Sequence, residues 1–148
     1  MTKDVMIRVT CVQRDEEGQA ETVSLETPGR FGERGGVPFL TYEETEITGM
    51  AGTRTSLFFR RGGVDLVRTG KFLQKQEYRM DEETASVYPT PLGPLALRVR
   101  TKEIENTVCG GSGRLRIVYD VELKGFFSHV NELVVDVWEE QGLHGSQG

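Results

Sequence analysis

The sequence is poor in the side chains that usually carry chemistry. It has two cysteines, Cys11 and Cys109, and two histidines, His129 and His144. None of the four shows the close pairing that zinc sites use, so no metal site is expected. Long apolar runs are missing as well. Nowhere do about 18 apolar residues stand together, which excludes a helical membrane span. The opening MTKDVMIRVT alternates from the start and lacks the apolar run of about seven or more residues that a signal peptide needs. A cytoplasmic location follows by default, and in that reducing compartment both cysteines stay free thiols. Positive charge is not in excess: the formal net charge is −5, which opposes phosphate backbones and anionic lipid. The densest basic group, Arg60, Arg61, Arg68 and Lys71, comes without a helix-turn-helix pattern, a zinc motif or interleaved aromatics. Neither nucleic acid nor a membrane is expected as a partner, and these cations read as exposed strand positions that also protect edges.

Helical periodicity is the last absence. No amphipathic helix of ten residues can be written, and MDEETASV (80–87) is the only candidate for a helical turn. What is present is period two. Val5, Ile7, Val9 and Cys11 alternate with Met6, Arg8, Thr10 and Val12. After the polar turn RDEEGQ, a second strand through Val23 and Leu25 stops at Pro28-Gly29. VPFLTYEE, TRTSLFFRR, VDLVRTG, KFLQKQEYRM, ASVYPT, PLALRVRTKEI, RLRIVYDVEL and NELVVDVWEE follow as further strands, with glycines between several of them. Leu115, Ile117, Tyr119, Val121 and Leu123 share one face, which places Asp120 on the other. There it pairs with a cross-strand cation, unless the two faces are assigned backwards and Asp120 needs Arg98 or Arg100 in the interior. A chain of 148 residues fits one domain, here residues 1–140 with a flexible tail over 141–148. Short hairpin connections favour an all-β, closed antiparallel up-and-down barrel of about 8–10 strands, because closure removes the edges.

The run YEE ending the third strand, RTG before Phe72, YPTPLGPLALRVRTKEI and above all GRLRIVYDVEL resemble the YwiB-like family of small bacterial proteins over roughly the whole chain. The pattern carries over at Tyr42, Glu43, Arg68, Gly70, Phe72, Tyr88, Thr90, Gly93, Leu97, Thr101, Gly113, Tyr119 and Asp120. The resemblance implies a calycin barrel, beside lipocalins and fatty-acid-binding proteins, with no catalytic role to transfer. It also implies the superfamily's habit of holding small, mostly apolar molecules inside the barrel, which is an analogy of fold and not of site.

The residues themselves offer three candidate chemistries. In TYEETEITGMAGTRT (41–55), alternation puts Tyr42, Glu44 and Glu46 on one face and Glu43 on the other. The acidic run reads as a solvated strand end before a glycine-rich turn. As a rim site, Tyr42 and Glu44 would meet Arg54 or Thr55 across the hairpin. Whether Tyr42 and Glu44 face the barrel mouth or water is open at this point. GGSGR (110–114) lacks the Lys, the Ser/Thr and the helix of a phosphate loop and reads as a hairpin turn, so no cofactor is expected. Cys11 reads as a small buried hydrophobe, Cys109 as exposed, and His129 as a base for it only by tertiary accident. Tyr78, Tyr88, Tyr119 and Trp138 join an apolar body to a polar tip.

The functional expectation is a small apolar or amphipathic ligand in or at the mouth of the barrel, with Tyr42, Glu44, Thr55, Tyr78, Thr101 and Tyr119 as candidate contacts. The alternative is a filled barrel whose outer face, around Phe58, Val134 and Trp138, docks a partner or a second copy as a homodimer. An enzyme is the third reading.

Overall fold

Alternation of apolar and polar side chains gives each segment one face that must leave water, and in a computed structural model ten such segments satisfy it together. Residues 2–90, 93–123 and 126–139 are described, without the side chains of residues 88–90 and 127. The expected tail over 141–148, with His144, lies outside the described residues, as do the side chain of Tyr88 and all of Pro91. The strands are β1 (Thr2–Arg14), β2 (Ala20–Arg34), β3 (Val37–Glu43), β4 (Thr53–Arg60) and β5 (Gly63–Gly70), then β6 (Gln74–Arg79), β7 (Glu83–Thr90), β8 (Gly93–Asn106), β9 (Gly113–Leu123) and β10 (Phe127–Trp138). They form one ten-stranded sheet in the order β6-β5-β4-β3-β2-β1-β10-β9-β8-β7. Sequence neighbours ladder antiparallel except β6 and β7, which are the two ends of the sheet, and β1 pairs with β10, Ile7 opposite Val137 and Cys11 opposite Leu133.

This is the up-and-down meander the alternation predicts, curled into a nearly closed barrel consistent with the calycin-like form. Its two ends, β6 and β7, meet through side chains. Thr84 Oγ1 donates to the Glu77 carbonyl at 2.7 Å and Ser86 Oγ to the Lys75 carbonyl at 3.1 Å. Hydroxyls thus satisfy carbonyls that a backbone ladder would otherwise engage. Below this seam, Asp81 N–H donates to the Thr101 carbonyl at 3.0 Å and Thr101 N–H to the Glu82 carbonyl at 3.3 Å, beside a register shift in β8 between Thr101 and Glu103.

One half of the interior is solid. Val5, Ile7, Leu40, Val64, Val99, Leu115 and Ile117 are almost fully buried, and each such side chain contributes about 1.5–3 kcal/mol by leaving water. Outside, Phe58 packs against Phe39 with ring centroids 6.0 Å apart, and the Arg8 guanidinium lies 5.4 Å from the Trp138 ring. Phe58, Val134 and Trp138 are each half-buried. Asp120 is outward, 3.4 Å from Lys102 Nζ, as expected when Tyr119 points in.

Two expectations are overturned. β2 does not stop at Pro28-Gly29 but runs on to Arg34. The β2–β3 ladder begins with Gly29 opposite Tyr42, so Pro28 stands just past its end, where a missing N–H is tolerated. Gly29 fits because a Cβ there would collide with the Ile7 side chain and lie 2.7 Å from the Thr41 carbonyl. MDEETASV contains no helix; residues 80–82 are a tight turn into β7, with Asp81 at φ 58°. Among the described residues no helix is long and apolar enough to cross a membrane.

Candidate functional site

The other half of the barrel is hollow. Its cavity of about 550 Å³ lies within the range typical of small-molecule sites. Apolar walls come from inward positions of the alternating strands, among them Val9, Leu25, Leu57, Leu66, Leu97, Val121, Leu133 and Val135. Set into these walls is a group of polar side chains, Tyr42, Glu44, Arg68, Gln74, Gln76, Tyr78, Tyr119 and Asn131. Ile47, Thr48 and Met50, from the turn between β3 and β4, complete the lining on one side, and Leu95, Leu123 and His129 contribute on the other.

Glu44 organises the polar group. Thr48 Oγ1 donates to its Oε1 at 2.9 Å and Thr55 Oγ1 donates to its Oε2, and Tyr42 lies close enough to feel its charge. Arg68 Nε stands 3.8 Å from Glu44 Oε2, an ion pair without a hydrogen bond, and Nε has no hydrogen-bond partner. Arg68 Nη1 donates to Gln74 Oε1 at 2.6 Å, and Gln74 Nε2 donates to Ser86 Oγ at 3.2 Å. The cavity's cation is thereby tied to the β6–β7 seam. Opposite, the rings of Tyr78 and Tyr119 meet edge to face, centroids 4.8 Å apart. The Tyr119 hydroxyl accepts from Asn131 Nδ2 at 3.4 Å.

Burial pushes the Tyr42, Tyr78 and Tyr119 phenols up, and the neighbouring Glu44 charge raises Tyr42 further. Burial also raises the Cys11 thiol. Arg68 opposes the rise at all four, so its guanidinium acts across the whole polar group. It is the one Arg or Lys side chain among the described lining residues.

Of the six candidate contacts, Tyr42, Glu44, Tyr78 and Tyr119 line the cavity. Thr55 stands behind Glu44 as its donor, fully buried. Thr101 is buried beside the seam, its backbone bound to Asp81 and Glu82, and does not border the cavity. The reading of Glu44 as part of a wet strand end is wrong. Its side chain is 2% exposed, because the chain turns inward after Glu43 and places hydroxyls around the carboxylate. Glu46 is exposed in the turn, and Glu43 is outside with Arg54 at 2.7 Å. Sequence reasoning missed Arg68, Gln74, Gln76 and Asn131. The density of cations around it groups Arg68 with the surface, yet it shares its inward face with Leu66 and Val64, and that alternation is the signal that marks it. Arg60 instead pairs outside with Asp65 at 2.5 Å. Cys11 is half-buried on the cavity wall and Cys109 is exposed, both as free thiols. GGSGR is a turn, closed by Cys109 N–H to the Ser112 carbonyl at 2.8 Å. Among the described residues no three His, Cys, Asp or Glu side chains gather as metal ligands would.

Comparison with known proteins gives the lineage of this barrel. The chain is 24% identical over 130 residues, 88% of its own length and 89% of the relative's, to the uncharacterized beta-barrel protein YwiB of Bacillus subtilis strain 168. It superposes on the crystal structure of ywiB protein from Bacillus subtilis with a TM-score of 0.83 at 22% identity, covering 93% of this chain and 92% of that one. Likeness at that identity speaks for the fold. The model of the DUF1934 family, described as a domain of unknown function, matches residues 7–135, and on that span the chain belongs to the DUF1934 family.

Proposed function

We propose that this chain is a cytoplasmic binding protein and not an enzyme, holding one small amphipathic molecule inside its calycin-like barrel. The observation that carries the reading is the cavity itself: about 550 Å³ between largely apolar walls and open at one rim, with a buried polar group converging into it. A barrel meant only as a scaffold would gain stability by filling that space, since interiors otherwise pack to crystal-like density. Keeping it open costs dispersion contacts that a ligand would restore. Against catalysis stands the state of Glu44. Both of its oxygens accept from hydroxyl donors and Arg68 Nε stands 3.8 Å from it, so the carboxylate serves as a fixed counter-charge to the cavity's cation.

The test is titration with Nile red, a neutral apolar dye that brightens on leaving water. The expected result is saturable binding of one dye per native chain, lost in Leu133→Trp, where the indole occupies the cavity while circular dichroism keeps its β signature. Equal dye binding by the native and filled proteins would contradict the reading.

A further inference from the structure

Polar side chains lie deep in this cavity. Its most exposed described lining residues are apolar, Val23 at 44%, Ile47 at 65% and Leu95 at 37%. Tyr42, Glu44, Gln76, Tyr78, Tyr119 and Asn131 are enclosed at 2 to 8%, among apolar neighbours such as Leu57 and Val135. A molecule that matches this gradient carries its polar end inward and its apolar end at the rim.

The charge balance then selects the kind of polar end. Arg68 and Glu44 already form a pair of opposite charges. Both oxygens of the Glu44 carboxylate accept from hydroxyls, those of Thr48 and Thr55, whereas among the described residues Arg68 donates only to Gln74 through one nitrogen, and its side chain keeps 17% exposure. A guanidinium has five donor hydrogens. The site therefore offers donors toward a head group, but its cation is already neutralised. An ionised head would add an unbalanced negative charge beside Glu44 in a low-dielectric space, which is costly. A neutral head that accepts hydrogen bonds, such as a hydroxyl or amide, takes the free donors without that penalty.

Resting on the binding reading above, we propose that the ligand enters polar end first and that this end is an uncharged hydrogen-bonding group seated on the free donors of Arg68, beside Glu44, with the apolar tail against Val23, Ile47 and Leu95. Glu44 sets this choice: it makes the pocket a site for neutral heads in place of anions.

The test compares dodecanol, dodecanamide and dodecanoate by calorimetry at about pH 8, where a carboxylic acid is ionised. In the native protein the alcohol and the amide are expected to bind about tenfold or more tighter than the carboxylate. In Glu44→Gln, which frees the Arg68 charge, the carboxylate gains and the gap narrows or reverses. Dodecanoate binding as tightly as dodecanol in the native protein would overturn the neutral-head assignment while leaving the binding reading standing. An unchanged preference in Glu44→Gln would place the head away from Glu44 and overturn the orientation. If none of the three binds, the inference fails whatever the dye does, and the Nile red titration decides whether the binding reading fails with it.

Discussion

Glu44 and its neighbours show what one residue's environment does to a reading made from sequence. Alternation correctly separates Glu43 from Glu44, and Glu43 does end in water with Arg54. The burial of Glu44 could not be read, because it depends on Thr48 in the following turn, Thr55 on the next strand and Arg68 on the strand after that. Local pattern carries no information about such partners. The tyrosines were legible as amphipathic tips but not as a set gathered in one cavity. Burial raises Tyr42, Tyr78 and Tyr119 in the folded chain, whereas unfolded tyrosines ionise at about pH 10. Above that pH the native state holds more protons than the unfolded one, so the stability from these neutral phenols is present below about pH 10 and is lost as pH rises further. In an alkaline titration the tyrosinate absorbance of these three should appear together with unfolding. Their ionisation near pH 10 with the fold intact would contradict their burial.

At the scale of elements, the strands were mostly legible and the seam was not. β9 and β10 alternate strictly, and their apolar positions Leu115, Ile117, Leu133 and Val135 are the ones found inside. Proline and glycine are strong local punctuators, so the sequence of β2 reads shorter than the strand, and only the end of the β3 ladder explains why they are tolerated. β6 and β7 look like any other hairpin in sequence. Their junction rests on Thr84 and Ser86 hydroxyls, and Gln74 links Ser86 to Arg68. Ser86→Ala removes the bond to the Lys75 carbonyl and a partner of Gln74, so a loss of about 1 kcal/mol in unfolding free energy is expected. Hydrogen exchange should also quicken in β6 and β7 before it does in β1, β2, β9 and β10, whose neighbours ladder them on both sides. Uniform acceleration around the barrel, or none, would contradict a seam held by side chains.

For the whole molecule, period two and short turns were enough to anticipate an antiparallel barrel of this strand number. They could not say whether it was filled. That depends on how side-chain volumes from distant strands add up inside: β1 contributes Val5 and Ile7 to the solid half and Val9, Cys11 and Gln13 to the wall of the hollow half. Apolar residues on both halves look alike in sequence, and the polar group gathers only when β3, β5, β6, β9 and β10 close on one another. The central claim is that the hollow half exists to hold a molecule. Native mass spectrometry of the chain purified without denaturation, beside Leu133→Trp, tests it most directly. The account predicts one retained small molecule per native chain, absent from the filled variant and recoverable by solvent extraction, whereas bare chain in every native preparation would contradict it.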